Sequence, residues 1–130
     1  MSVARTGRPG WIVASTVLLW VTYGVMADLP LRLLGLDETF GLGLLDAWAV
    51  MAIGGIGMAL PSPGGTGSFH YATVQALTLL FAVSATPAAT YALLVHAAGI
   101  VFYCVLGVGA LAWQGTSFGA VAARARAQGA

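Results

Sequence analysis

The chain contains no lysine, a single cysteine and a single glutamate, and only 7% of its 130 residues are charged. A soluble domain carries about 25% charged residues, and that charge is what keeps a folded surface wet. Five arginines, three aspartates, one glutamate and two histidines are too few to cover a water-soluble globule of this size, whereas hydrocarbon needs no such covering. Disorder is excluded for the opposite reason, because it requires low hydrophobicity and 59% of these residues are hydrophobic. The missing lysines exclude a phosphate-binding P-loop, and no basic stripe interleaved with aromatics exists to suit nucleic acid. Cys104 has no partner for an internal disulfide; within its apolar run it is expected to act as a small buried hydrophobe.

What remains is oily sequence in four runs. The first is Trp11 to Ala27, the second Leu44 to Leu60, the third near Thr66 to near Val83, and the fourth Pro87 to Trp113. No alternation of polar and apolar residues persists, as barrel strands would require. The expected fold class is therefore all-α: a helical integral membrane protein, with residues 1–130 as one membrane domain. Thr86 before Pro87 suggests an N-cap with proline at the first helical position.

A crossing needs about 20 residues. The first and fourth runs suffice; the second and third are marginal, and Pro61-Ser62-Pro63-Gly64-Gly65-Thr66-Gly67-Ser68 separates them. Prolines remove donors and glycines loosen the backbone, so this string cannot continue a helix. Two topologies fit: four crossings, or two crossings with the middle runs forming a re-entrant hairpin. Both return the C-terminus to the side of the N-terminus. Arg5 and Arg8 precede the first run, Arg124 and Arg126 follow the last, and the loop from Asp28 to Asp46 holds all four acids and only Arg32. The positive-inside rule then puts both termini in the cytoplasm of a plasma-membrane protein. Arg5, Arg8 and the small residues at Val25-Met26-Ala27 also fit a cleaved signal sequence, but the run is long for that role and contains Trp20 and Tyr23. Trp11, Trp20, Trp48 and Trp113 fall near span ends, as interfacial anchors do, and Asp28 and Asp46 read as solvated boundary charges.

Polar groups in hydrocarbon need a partner or a purpose. The richest cluster is PSPGGTGSFHYATVQ, Pro61 to Gln75. A helix starting near Thr66 leaves its first amides without intrahelical acceptors and turns them, with partial positive charge, toward the glycine-rich loop. Gly64, Gly65 and Gly67 permit close approach, Ser62, Thr66 and Ser68 add hydroxyls, and His70 adds a donor or a charge. Tyr71, Gln75 and Thr78 follow at steps of four and three. Such a broken-helix N-terminus suits an anionic group such as a lipid phosphate. The alternative is a loop that merely packs against neighbouring helices. On the fourth run, His96, Gly99, Tyr103, Gly107 and Ala110 share a stripe, with His96 and Tyr103 as its polar tips. This is either a packing seam in which His96 is satisfied by a neighbouring hydroxyl or carbonyl, or one wall of a polar region shared with His70. Gly54-Gly55-Ile56-Gly57 reads as close helix packing.

Other chemistries fail. Gly65-Thr66-Gly67 and Gly41-Leu42-Gly43 lack the rest of a dinucleotide fingerprint. Two histidines without nearby carboxylates make a weak metal site, and none is expected; no cofactor is implied. Ser68 and His70 lack an orienting acid, so a hydrolase, or any enzyme using His70 or His96 as a base, ranks last.

The string Ala59-Leu60-Pro61-Ser62-Pro63-Gly64-Gly65-Thr66-Gly67-Ser68-Phe69-His70-Tyr71 resembles the PxxPGGxG motif of the lysylphosphatidylglycerol synthase transmembrane family, also called flippase-like. The apolar helix after the motif, Val83-Ser84-Ala85-Thr86-Pro87-Ala88-Ala89, the long final run with His96 and the basic tail extend the likeness over roughly Trp11 to Trp113. The resemblance implies the C-terminal part of a longer membrane domain, without the soluble aminoacyl-transferase. It implies a non-catalytic role in binding or moving an anionic phospholipid or isoprenoid-linked lipid. The alternative is a structural subunit, or a fragment, that packs through its glycine seams on a helical membrane partner or on a second copy of itself.

Overall fold

In a computed structural model, residues 9–115 and 118–128 are described. Among them every regular element is helical: α1 (Pro9–Leu33), α2 (Leu36–Phe40), α3 (Leu44–Met58), a 3-10 turn (Pro63–Gly65), α4 (Ser68–Phe81), α5 (Ala85–Trp113) and α6 (Phe118–Gln128). The chain divides into two compact units, residues 1–96 and 97–130.

Two helices, α1 with 25 residues and α5 with 29, are long and apolar enough to cross a membrane. At 1.5 Å per residue they span about 37 and 43 Å, against a hydrocarbon thickness near 30 Å. With 15 and 14 residues, α3 and α4 are half-length, about 22 and 21 Å.

α1 outruns its apolar stretch by six residues, passing through Asp28, Pro30 and Arg32. Arg32 Nε lies 2.6 Å from Asp28 Oδ2, one turn back, and this pair holds the last turn. Pro30 has no N–H to give to Met26, so the helix is weakened there. Tyr91 of α5 braces the adjoining residue: its buried hydroxyl donates to the Ala27 carbonyl at 2.8 Å. Ala27, the residue beside a candidate cleavage point, is thus built into the fold and buried.

The core of the first unit gathers Ala27 and Leu31 of α1, Leu36 of α2, Ala47 and Val50 of α3, Ala76 and Leu77 of α4, and Ala88 and Tyr91 of α5. Its helices approach closely because glycines face the partner. A Cβ at Gly24 would overlap the indole of Trp48; one at Gly54 would sit 2.8 Å from both the Phe69 ring and Thr73 Oγ1; one at Gly57 would sit 2.6 Å from Ala72 Cβ. Gly54 and Gly57 are thus the packing glycines expected of Gly54-Gly55-Ile56-Gly57, while Gly55 meets nothing within 4 Å.

Several expectations are corrected. Asp28 and Asp46 are not free boundary charges: Asp28 is paired with Arg32, and Asp46 Oδ2 accepts the Gly43 amide at 2.8 Å, capping α3. Trp20 and Trp48 stack on each other at 6.4 Å, whereas Trp11 and Trp113 are exposed at helix ends. α5 starts two residues before Pro87, and Ala88 N–H donates to the Ser84 carbonyl, so Thr86 lies inside the first turn and does not cap it. Proline is still tolerated there, because the first turn's amides have no intrahelical acceptor to lose.

In the second unit, the part of α5 beyond Ala97 is exposed from Ile100 to Val108. Cys104 is exposed with it, not buried, because this stretch is apolar on all sides and no described residue of its own unit covers it. α6 places Arg126 in its last turn, where a cation suits the helix dipole. Arg5, Arg8 and the side chain of Arg124 lie outside the described residues.

A candidate anion site at the proline–glycine break

α3 ends with the Ala59 amide on the Gly55 and Ile56 carbonyls, and the chain then folds into tight turns. Gly65 N–H donates to Ser62 O, and Thr66 N–H donates to Pro63 O. The turns require left-handed backbone at Gly64 (φ 61°), Gly65 (φ 70°) and Gly67 (φ 95°), a region only glycine occupies at no steric cost. Gly65 is also buried against Met58, whose Cγ lies 2.7 Å from where a Cβ would stand. Thr66 is extended, at φ −64° and ψ 128°, so α4 starts at Ser68, two residues later than expected.

The loop's polar groups are organised around Ser68. Its hydroxyl donates to Gly65 O at 3.3 Å, and its oxygen lies 2.6 Å from Ser62 Oγ. With the Ser68 proton directed to Gly65, Ser62 is the donor of the short bond. Gly67 N–H donates to His70 Nδ1 at 3.3 Å, a side chain reaching back to cap its own helix. Tyr71 N–H bonds Gly67 O, which leaves the amides of Ser68, Phe69 and His70 without acceptors inside α4. Thr66 stands exposed beside them.

Ser62, Gly64, Gly65, Thr66, Gly67, Ser68 and His70 therefore come together at one helix end. Gln75 does not join them: seven residues beyond Ser68, it lies about 10 Å along the axis. Tyr71 points out, while Gln75 and Thr78 are half-buried. Thr78 bonds back to Val74 O.

The structure also brings His96 of α5 to His70, with ring centroids 4.9 Å apart. Phe69 closes the group, 5.3 Å from His96 and 5.8 Å from His70. His96 is not satisfied by a neighbouring hydroxyl or carbonyl at Nε2. That atom, His70 Nε2 and Thr73 Oγ1 are buried with no hydrogen-bond partner among the described residues. Tyr103 lies seven residues further along α5, in the second unit. Phe69 and Thr73 were not legible as members of this cluster. A signal existed for Thr73, one turn after His70 on the same face, but none for Phe69, whose place follows from the glycine at position 54 on another helix.

Among the described residues no group of three or more histidine, cysteine, aspartate or glutamate side chains is placed to hold a metal ion. In comparison with known proteins, the family described as Lysylphosphatidylglycerol synthase TM region matches residues 1–107. No curated protein and no solved structure matches the chain significantly.

Proposed function

The chain is a membrane protein that belongs to the lysylphosphatidylglycerol synthase TM region family, and from that premise we propose that it binds or translocates an anionic lipid without covalent chemistry. The observation that carries this reading is the open end of α4. Three amides without intrahelical acceptors, the Thr66 hydroxyl and the Ser62–Ser68 pair meet at a break between two apolar helices. Amides and the helix dipole at such an end favour a phosphate or another anionic head group. The head group of a phospholipid or an isoprenoid-linked lipid has this chemistry, and its tails match the apolar surfaces of the helices.

The lengths of α3 and α4 support the re-entrant topology. Each falls short of a 30 Å core by about 8 Å, so the pair enters and leaves by one face with the Pro61–Ser68 loop at depth. α1 and α5 cross. The protein is then a multi-pass plasma-membrane protein with both termini cytoplasmic, as the arginines suggest, and residues 1–130 serve one membrane function. We propose no enzymatic role, because neither histidine is joined to a carboxylate that would orient it as a base.

The test uses vesicles reconstituted with the full chain and a fluorescent anionic phospholipid. Thr66→Val with Ser68→Ala removes two hydroxyls and leaves the glycines intact. Translocation is expected to fall several-fold with membrane insertion unchanged. A rate equal to that of the unaltered protein sinks the assignment.

The exposed stretch of α5 from Ile100 to Val108 favours a second reading, in which this segment packs on a helical partner or a second copy. Cross-linking through exposed Cys104 in native membranes checks it: an adduct supports the interface, and a monomer alone counts against it.

A further inference from the structure

The lipid-handling reading makes no use of the buried nitrogens of the two histidines. His70 Nδ1 accepts the Gly67 amide, so this nitrogen presents its lone pair and the neutral ring carries its proton on Nε2. That Nε2–H donor is buried without an acceptor, as is Nε2 of His96. A metal ion does not fit, because ligation through His70 Nε2 places the proton on Nδ1, where the Gly67 N–H already points.

A proton does fit, and its consequence is geometric. We propose that a proton on His70 releases the cap that holds Gly67 to α4. Charging the ring turns Nδ1 from acceptor into donor, so two N–H groups face each other across the present 3.3 Å bond. Gly67 must then turn away. It is the last residue of the glycine-rich loop, and its carbonyl anchors the first turn of α4 through the Tyr71 amide. The loop and the start of α4 therefore loosen together.

The groups placed at His70 are two rings and one backbone amide. α5 presents the His96 ring at 4.9 Å, α4 itself adds the Phe69 ring at 5.8 Å, and the loop presents the Gly67 amide. The acids Asp28, Asp37, Glu38 and Asp46, and Arg32, belong to α1, α2 and the first turn of α3, and none bonds to either histidine. At alkaline pH the latch is closed, and as pH falls it opens. The latch does not require the loop to receive a lipid, so its failure and the failure of the lipid assignment are separate results.

The experiment is amide hydrogen exchange at Gly67 in the full chain in detergent micelles, corrected for the intrinsic pH dependence, beside ¹⁵N spectra of the histidine rings. In the unaltered protein the opening at Gly67 is expected to rise about fivefold to tenfold from pH 8 to pH 5, the ratio expected for loss of one helix cap. In the same range the His70 imidazolium appears. His70→Gln keeps an acceptor at the third helical position, where glutamine reaches back to the cap amide, and has no titrating nitrogen. It is expected to flatten the profile, whereas His96→Gln retains it. A flat profile in the unaltered protein overturns the proposal, as does a pH-dependent one in His70→Gln.

Discussion

Alanine placed at two neighbouring glycines of α3 separates close helix packing from mere helix composition. A Cβ at Gly57 would lie 2.6 Å from Ala72 Cβ and 2.7 Å from the Ser68 carbonyl oxygen. Carbon atoms in good contact stand about 3.5–4.0 Å apart, so α3 and α4 must separate by about 1 Å to admit it. The Ser68 contact is backbone and cannot rotate away. Overpacking of this kind costs about 1–3 kcal/mol. At Gly55, two residues earlier on another face, a Cβ meets nothing within 4 Å, so Gly55→Ala costs no contact and gains up to about 1 kcal/mol of helix propensity. Reversible unfolding of both variants by SDS in mixed micelles measures the difference. Gly57→Ala is expected to be the less stable by about 1–3 kcal/mol, the overpacking cost, because the gain in helix propensity is common to both variants. The same displacement stretches the 2.6 Å Ser62–Ser68 contact, so the loop loses order with the seam. Equal stabilities would refute the reasoning, because they would mean that Gly57 does not set the distance between the helices.

Tyr91→Phe removes the hydroxyl that serves Ala27 O beside the proline-weakened turn of α1, and the same unfolding measurement should show a loss of about 1 kcal/mol. Gly24→Ala should destabilise through overlap with the Trp48 indole, and a double-mutant cycle with Trp48→Ala should give a coupling of at least about 1 kcal/mol; additive effects would count against this contact. Gly65→Ala meets two obstacles, the flexible Met58 side chain and a φ of 70°. Met58→Ala in the same chain should leave about 1–2 kcal/mol of backbone cost unrelieved, read as a lowered Tm in detergent.

α3 and α4 show how two levels of the chain cooperate. Helices of 15 and 14 residues are too short to be secure spans, yet Gly54 and Gly57 bring them close enough for Phe69 and Thr73 to pack against α3. That packing carries the start of α4, and with it the loop, to a defined position. His96 then closes on His70 from a helix that begins fifteen residues after it. The polar end of α4 is thus held by apolar contacts at its sides, with the amides of its first turn left without acceptors inside the helix.

Composition and short-range pattern determined the membrane class and the helices, since both depend on the local balance of oil and charge. A depleted set of ionic groups cannot clothe a soluble surface, and Pro61 to Gly67 cannot continue a helix whatever surrounds it. The seven polar and glycine residues of the loop were legible for the same reason: turn chemistry is read within a few residues. Helix ends were less so. α1 runs on to Leu33 because Asp28 and Arg32 pair and Leu31 finds a core, and α4 waits until Ser68 because Gly67 adopts a backbone that no helix uses. Only the tertiary structure decided that Tyr91 serves Ala27 across 64 positions and that His96 stands against His70. It also decided that Cys104 faces outward. Contacts of that range depend on how closely helix axes approach, a distance set here by single glycines on the opposing helix, and no periodicity along one strand of sequence encodes which glycine will face which side chain.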